Sequence, residues 1–364
     1  VYLREIGFSI LLIGVLEGMV NFTAGVSKGF FGKISDEKGL RLPFIKWGYF
    51  LSAVSKPLLS FFQNPIWVFF TRTTDRLGKG LRTAPRDALL SQNATPETKA
   101  RVFSFHRGID TAGAAIGPTL ALVFLISHPH QYQLIFLLAF IPGLISVLLI
   151  FFLKEERKPE STLGKGNFIS FFRYWNIASK DYKRLVTGLL FLALFNSSDV
   201  FLLLKAKMVT GNDTTTIMAY ILYNVVYAIG SYPLGSLADK IGIKRVFIGG
   251  ICLFTIVYFL FGIVSNITVL YTSFIIYGLY AAATEGITKA WITNIAHGQN
   301  TATAVGFYTS CESICTLLAS IIAGIIWSFY GSAVTFFITA SASLLVAIYF
   351  GFRSIQNPME KISP

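Results

Sequence analysis

Charge is scarce in this sequence. Of its 364 residues only 13% are Asp, Glu, Lys or Arg, while 54% are hydrophobic, and the mean hydropathy is +0.62. A water-soluble domain normally carries about 25% charged residues. Half that value leaves too little polar surface to cover a globule, so the chain is expected to use lipid as its solvent. The 34 phenylalanines suit helix surfaces that face hydrocarbon. Other features are missing too. No nucleotide-binding P-loop, nucleophile elbow or metal-ligand cluster is present, which excludes ATP-driven transport by this chain alone and leaves membrane enzymology without residues to carry it. Period-two alternation of the β-barrel kind is not evident. Cys252, Cys311 and Cys315, the three cysteines, all lie in apolar segments and read as small buried hydrophobes. No cofactor is expected, and no metal.

What is present is a series of long apolar runs. Thr111–Leu153, Val246–Thr284 and Ser313–Phe352 contain no Asp, Glu, Lys or Arg. Each is about twice the roughly 20 residues a helix needs to cross a bilayer. Each is broken once, at His128-Pro129-His130, Ser265-Asn266 and Tyr330-Gly331, and so reads as a helical hairpin. The two histidines read as a polar external turn rather than a metal site. Spans are expected at 6–31, 43–63, 66–91, 102–127, 133–153, 185–208, 213–235, 246–264, 267–289, 301–327 and 331–352.

The net charge of +13 is a matter of topology rather than of nucleic acid, because the bases gather in alternate connections. Lys33, Lys38, Arg41 and Lys46 lie in one, Lys99 and Arg101 in another, and Lys240, Lys244 and Arg245 in a third. The central loop 154–184 and the tail carry more, whereas the connections near 64, 130, 266 and 330 have none. Those basic connections, the central loop and the C-terminus are therefore expected in the cytoplasm, and the protein in the cell (inner) membrane.

Two of the basic connections match each other residue by residue. Gly32, Asp36, Gly39 and Arg41 fall in register with Gly235, Asp239, Gly242 and Lys244. A tight hairpin repeated once per half-chain signals internal duplication, which in membranes points to transport. The organisation expected is an N-terminal bundle 1–153, the loop 154–184 and a C-terminal bundle 185–364. Two spans precede the second hairpin and only one precedes the first, so the symmetry leads us to expect a shortened twelve-span protein with Val1 outside.

The paired G-x-x-x-D-x-x-G-x-R/K loops resemble the signature of the major facilitator superfamily of secondary transporters. Gly113-Ala114-Ala115-Ile116-Gly117-Pro118 is similar to that family's G-x-x-x-G-P motif of proton-coupled exporters, and Arg76-Leu77-Gly78-Lys79-Gly80 to its R-x-x-x-G element. The resemblance covers nearly the whole chain. It implies an all-α membrane fold of two pseudo-symmetric six-helix bundles, with about eleven helices in this chain. It also implies alternating-access transport of a small molecule, coupled to protons, by a monomer in the bilayer.

Individual residues carry the chemistry. In the hairpins, Asp36 or Asp239 can meet a helix N-terminus or a neighbouring arginine, so Gly32, Asp36, Gly39, Arg41, Gly235, Asp239, Gly242, Lys244 and Arg245 form a candidate cytoplasmic gate. Gly113, Gly117 and Pro118 permit close helix approach and a kink. Charges within spans cost several kcal/mol unless they are paired or face water. Glu17, Asp110, Asp199, Glu285 and Glu312 are candidates for proton coupling, and Arg72, Asp75, Arg76 and Arg107 for the cavity. Arg72, Asp75 and Arg76 can also pair along one helix face. The Gly-Pro motif favours export of an organic compound by antiport. The basic set Arg72, Arg76, Lys79 and Arg82 favours the alternative, uptake of an anionic metabolite.

Overall fold

The computed structural model describes residues 10–62, 64–128, 131–155, 170–296 and 300–353, apart from the side chains at 10–21, 122, 170 and 213. Val1, the tail beyond Arg353, residues 156–169 of the expected loop, and Pro129 and His130 of the expected turn lie outside them. The described residues are almost entirely helical. The helices are α1 (Ile10–Lys38), α2 (Leu42–Phe61), α3 (Pro65–Gln92), α4 (Lys99–Ser127), α5 (Tyr132–Leu138) and α6 (Phe140–Phe151). A 3₁₀ turn (Ser170–Arg173) and α7 (Tyr174–Ile177) lead into α8 (Lys180–Phe195), α9 (Val200–Thr210), α10 (Asp213–Ile241), α11 (Ile243–Ile263), α12 (Ile267–Ile295) and α13 (Thr301–Phe352). Gly331, at φ 83°, interrupts α13 and divides it into two spans. Counting α5 with α6, and α8 with α9, as single crossings recovers the eleven expected spans. Among the described residues, seven helical stretches are long and apolar enough to cross a membrane by length and composition.

One span departs from expectation. A single span is expected over 185–208, yet the helix is broken between α8 and α9. The cause lies in Asn196-Ser197-Ser198-Asp199, whose short polar side chains compete with the backbone for its own hydrogen bonds. The freed groups are met locally: the Ser198 N–H donates to Ser320 Oγ at 3.2 Å and the Val200 N–H to Ser198 Oγ at 3.4 Å.

The chain forms two compact units. The first contains α1–α3, α4 from Pro118 onward, α5–α7 and Ala296–Ile314, which holds the opening turns of α13. Here α2 packs on α5 and α6, and the 3₁₀ turn on α1. Phe171, fully buried, fills the space that Gly29 leaves, for a Cβ there would come within 2.5 Å of the ring. The second unit contains Leu90–Gly117, Ser179–Ile295 and the chain from Cys315. Its centre is α12 packed against α10 and α11. Small residues bring these helices together: a Cβ on Gly278 would meet the Tyr223 carbonyl at 2.8 Å, and one on Gly250 the Thr284 side chain at 2.6 Å.

Hydroxyl groups within the helices find partners in their own backbone. Thr255 donates to the Ile251 carbonyl at 3.1 Å, Ser273 to Val269 at 2.7 Å and Thr284 to Tyr280 at 2.8 Å. In a medium without water this satisfies groups that otherwise cost several kcal/mol each. Large apolar side chains such as Phe70, Ile229 and Phe329 stand exposed, as a lipid-facing surface requires.

Glycine replacements separate the roles of these positions. Gly39 sits at φ 62°, so Gly39→Ala should cost about 1–2 kcal/mol. Gly113 is helical, and a methyl group added there would meet nothing within 4 Å, so Gly113→Ala should be neutral or stabilise by up to about 1 kcal/mol. Thermal unfolding followed by fluorescence in detergent should give midpoint shifts of opposite sign, or a fall for Gly39→Ala alone.

Candidate functional site

The two hairpins do the same thing in their respective units. Each sends an aspartate to the exposed N–H groups at the start of a helix. In the first unit Asp36 lies at the N-terminus of α13. Its Oδ2 accepts from the Thr303 N–H and the Thr303 hydroxyl, both at 2.6 Å, and its Oδ1 from the Ala302 N–H at 3.4 Å. In the second unit Asp239 lies at the N-terminus of α4, with Oδ1 accepting from Ala100 N–H at 3.0 Å and Oδ2 from Arg101 N–H at 2.9 Å. The two residues after the first residue of the helix donate in both cases. Those N–H groups have no intrahelical partner, and the helix end carries about half a positive charge, so a carboxylate there is stabilised twice over.

The register glycines explain how the helix ends come so close. A Cβ on Gly32 would meet the Ala302 carbonyl at 2.5 Å, and one on Gly235 the Ala100 carbonyl at 2.8 Å. Gly39 and Gly242, at φ 62° and 102°, make the turns that follow.

The bases of the hairpins differ. Arg41 folds back to pair with Asp36 at 2.5 Å and donates to the Ser35 carbonyl at 2.6 Å, with both members of the pair buried. Burial pushes the Asp36 carboxyl up to about 6, against the opposing pull of Arg41, Thr303 and Ala302. Lys244 takes a different course, donating to the Gly351 and Arg353 carbonyls at 3.3 and 3.1 Å, at the C-terminal end of α13. Arg245 donates to the Ile241 carbonyl at 3.1 Å and so closes the end of α10. Both place a cation where a helix end is negative. Burial raises the Asp239 carboxyl too. Beside it, burial lowers the Lys99 amine to about 8, and its Nζ donates to the Thr293 carbonyl at 3.3 Å.

Among the charged residues within spans, the second unit gathers four. Arg107 pairs with Glu285, pairs with Asp110 at 3.1 Å and donates to the Tyr227 hydroxyl at 2.7 Å. Asp199, at the break before α9, accepts from the Tyr277 hydroxyl at 2.7 Å and lies within electrostatic reach of both Glu285 and Arg107. The Tyr277 ring stacks on Tyr223 at 4.8 Å, and Tyr223 is followed along α10 by Tyr227. One guanidinium therefore serves a group of three carboxylates, bordered by tyrosines.

The remaining charged candidates belong to the first unit. Glu312 belongs to the first unit and accepts from the Tyr308 hydroxyl at 2.6 Å. Glu17 is in α1, where its side chain lies outside the described residues. On α3, Arg72 and Arg76 are half-buried, and Asp75 meets Lys56 of α2 at 3.8 Å. Arg82 stacks 4.3 Å from the Tyr49 ring and donates to Ser52 Oγ at 2.7 Å, fastening α3 to α2. The close approach expected at Gly113 and Gly117 is not seen: a Cβ at either meets nothing within 4 Å, because they lie on an exposed face of α4. Pro118 follows inside the helix, and the boundary between the units crosses α4 at this Gly117–Pro118 step.

Several residues gain a role that the sequence pattern does not signal. Glu155 accepts from the Arg41 N–H at 2.8 Å and the Leu42 N–H at 2.7 Å, closing the N-terminus of α2 as the aspartates close α13 and α4. Its neighbours are charged on every side, so nothing in the linear pattern marks it out. Thr303, Tyr227 and Tyr277 are uncharged and equally silent, and only their positions opposite Asp36, Arg107 and Asp199 give them roles.

Breaking the first hairpin should cost more than breaking the second. Asp36→Asn leaves Arg41 buried without its counter-charge, a loss of about 3–5 kcal/mol, while Asp239→Asn removes a helix cap worth about 1–2 kcal/mol. Combining Asp36→Asn with Arg41→Met should recover part of the loss in a double-mutant cycle of thermal stability.

Comparison with known proteins agrees with this architecture. The family model described as Major Facilitator Superfamily matches residues 1–220 and 206–363. An uncharacterized MFS-type transporter of Methanocaldococcus jannaschii is 31% identical over 331 residues, covering 89% of this chain and 82% of that protein. The structure of the human organic anion transporter MFSD10 superposes with a TM-score of 0.80 at 14% identity, over 95% of this chain and 87% of that one. The E. coli fucose:proton symporter FucP superposes with a TM-score of 0.79 at 12% identity, over 97% and 92%. The chain belongs to the Major Facilitator Superfamily and is a multi-pass membrane transporter rather than an enzyme.

Proposed function

We propose that the protein exports a small organic molecule across the cell membrane in exchange for protons, by alternating access. In this reading the N-terminal bundle 1–153 and the C-terminal bundle 185–364, joined by a cytoplasmic loop 154–184, move as bodies, with the hairpins and the C-terminus on the cytoplasmic side. The observation that carries the coupling is the group around Arg107. Arg107 meets both Glu285 and Asp110, and Asp199 lies within their field, so a proton or a cationic substrate arriving at one carboxylate changes how the guanidinium is shared among the rest. Binding of either in place of the other is the elementary act of an antiporter. Asp199, at a break in its helix, is suited to this role because freed backbone and a carboxylate meet there. Arg107 then holds Glu285 or Asp110 according to which carboxylate is protonated.

The hairpins supply the gate. Asp36 and Asp239 each hold a helix start through two N–H groups, contacts that are intact or lost as a set when a helix end moves away. Uptake of an anionic metabolite receives less support, since Arg82 is engaged in fastening α2 and Arg107 in pairing with acids.

Everted membrane vesicles energised to an acidic interior test the proposal directly. With acridine orange as the pH reporter, adding a lipophilic cation such as tetraphenylphosphonium or ethidium should restore fluorescence as protons leave. Asp199→Asn and Arg107→Ala should lower the rate by about tenfold or more, the effect expected when a charged coupling group is lost from a span. Accumulation of an anionic solute by right-side-out vesicles under an inward proton gradient, with no response from everted ones, would establish uptake instead.

A further inference from the structure

Between α2 and α6, at the end of the first unit that carries the hairpin, runs a groove of about 790 Å³. Its walls are apolar, built by Trp47 and Phe50 on one side and Val147 and Phe151 on the other, and its charged lining residues are Lys46, Lys154 and Glu155. Trp47 and Phe151 are each more than half exposed, so the groove opens outward from the unit's own core. It differs from a soluble-substrate pocket in two respects. Its apolar part is continuous and opens on the surface of helices that cross the bilayer, and its polar part is confined to one end, where the helices terminate. Trp and Lys at helix ends mark the depth of lipid headgroups.

Among the described lining residues, two lysines face one acid at the polar end. Glu155 has both carboxylate oxygens committed to the Arg41 and Leu42 N–H groups. The Arg41 guanidinium turns the other way, to Asp36 and Ser35. Lys46 lies over the Phe151 ring, 4.8 Å from its centroid, which holds its ammonium at the mouth of the groove. The lining thus offers Lys46 and Lys154 beside one described acid whose oxygens are already engaged. An occupant must be apolar along its length and anionic at one end.

We propose that this groove binds an anionic phospholipid from the leaflet on the hairpin side. An acyl chain lies along Trp47, Phe50, Val147 and Phe151, and the phosphate is held by Lys46 and Lys154. The site is linked to the hairpin, because Lys154 precedes Glu155, the residue that closes the N-terminus of α2 beside Arg41. A bound headgroup holds this segment over the helix end and so favours the docked hairpin. The proposal needs only that the protein is embedded in a bilayer and is independent of what it transports or in which direction.

The test uses the purified full chain and phosphatidylglycerol or phosphatidylcholine as probes. Native mass spectrometry should show one phosphatidylglycerol retained in preference to phosphatidylcholine. Lys46→Gln and Lys154→Gln should each weaken that retention about fivefold, and a charge-matched control, Lys180→Gln with Lys240→Gln, should leave it unchanged. Position is checked by quenching. Phosphatidylglycerol with brominated chains should quench a component of tryptophan fluorescence that is absent in Trp47→Phe, and the two lysine substitutions should reduce that quenching. Equal retention of the two lipids, a preference that survives both lysine substitutions, or quenching independent of Trp47 would each overturn the assignment.

Discussion

A helix that ends inside or beside a bilayer exposes N–H groups that water cannot reliably reach, and much of this structure follows from how those groups are met. Three helix starts in the described residues, those of α2, α4 and α13, receive a carboxylate from a distant part of the chain: Glu155, Asp239 and Asp36. In water each cap is worth about 1 kcal/mol. At the margin of a low-dielectric medium, leaving the same groups unpaired costs several times more. Under the proposed alternating access, these caps are latches that are either fully made or fully undone, the property a two-state machine requires.

The two hairpins show how a duplicated sequence keeps geometry and changes chemistry. Glycines in register let each helix end approach, and aspartates in register receive it, at the same offsets in both units. The bases then diverge. Arg41 supplements the first latch with a buried charge, so that Asp36 sits between two opposing demands, desolvation that favours its proton and a guanidinium that favours its anion. Lys244 and Arg245 instead secure the C-terminal ends of α13 and α10. The first latch is thereby the more sensitive to substitution, and the second the more mechanical.

Much of the architecture is legible in the sequence because lipid imposes simple rules. Uncharged runs of Thr111–Leu153 length can only be pairs of crossings, and basic connections mark one face. The Gly-Asp-Gly-base register exposes the duplication without any structure. The break at Asn196–Asp199 is less accessible, because four polar residues within an apolar run average out over a window of span length. Glu155 is hidden by the charges around it, and Gly113 and Gly117 mislead in the other direction. Their spacing fits helix contact, but spacing does not say which face of α4 they occupy, and that face is exposed. Periodicity and composition report the solvent around a helix; pairwise chemistry depends on which distant residue arrives opposite, and that is a property of the fold.

The placement of the intramembrane charges extends the same logic from helix ends to side chains. Arg107 is shared by Asp110, Glu285 and Tyr227, and Asp199 is held by Tyr277 within their field. In such a set the guanidinium's partners depend on which carboxylates are ionised, so its lowest-energy state depends on what else is bound. Under the proposed antiport, a proton or solute arriving at one carboxylate selects between alternative ways of sharing Arg107, the caps at the helix starts hold the conformation so selected, and the group in the span sets when it is released.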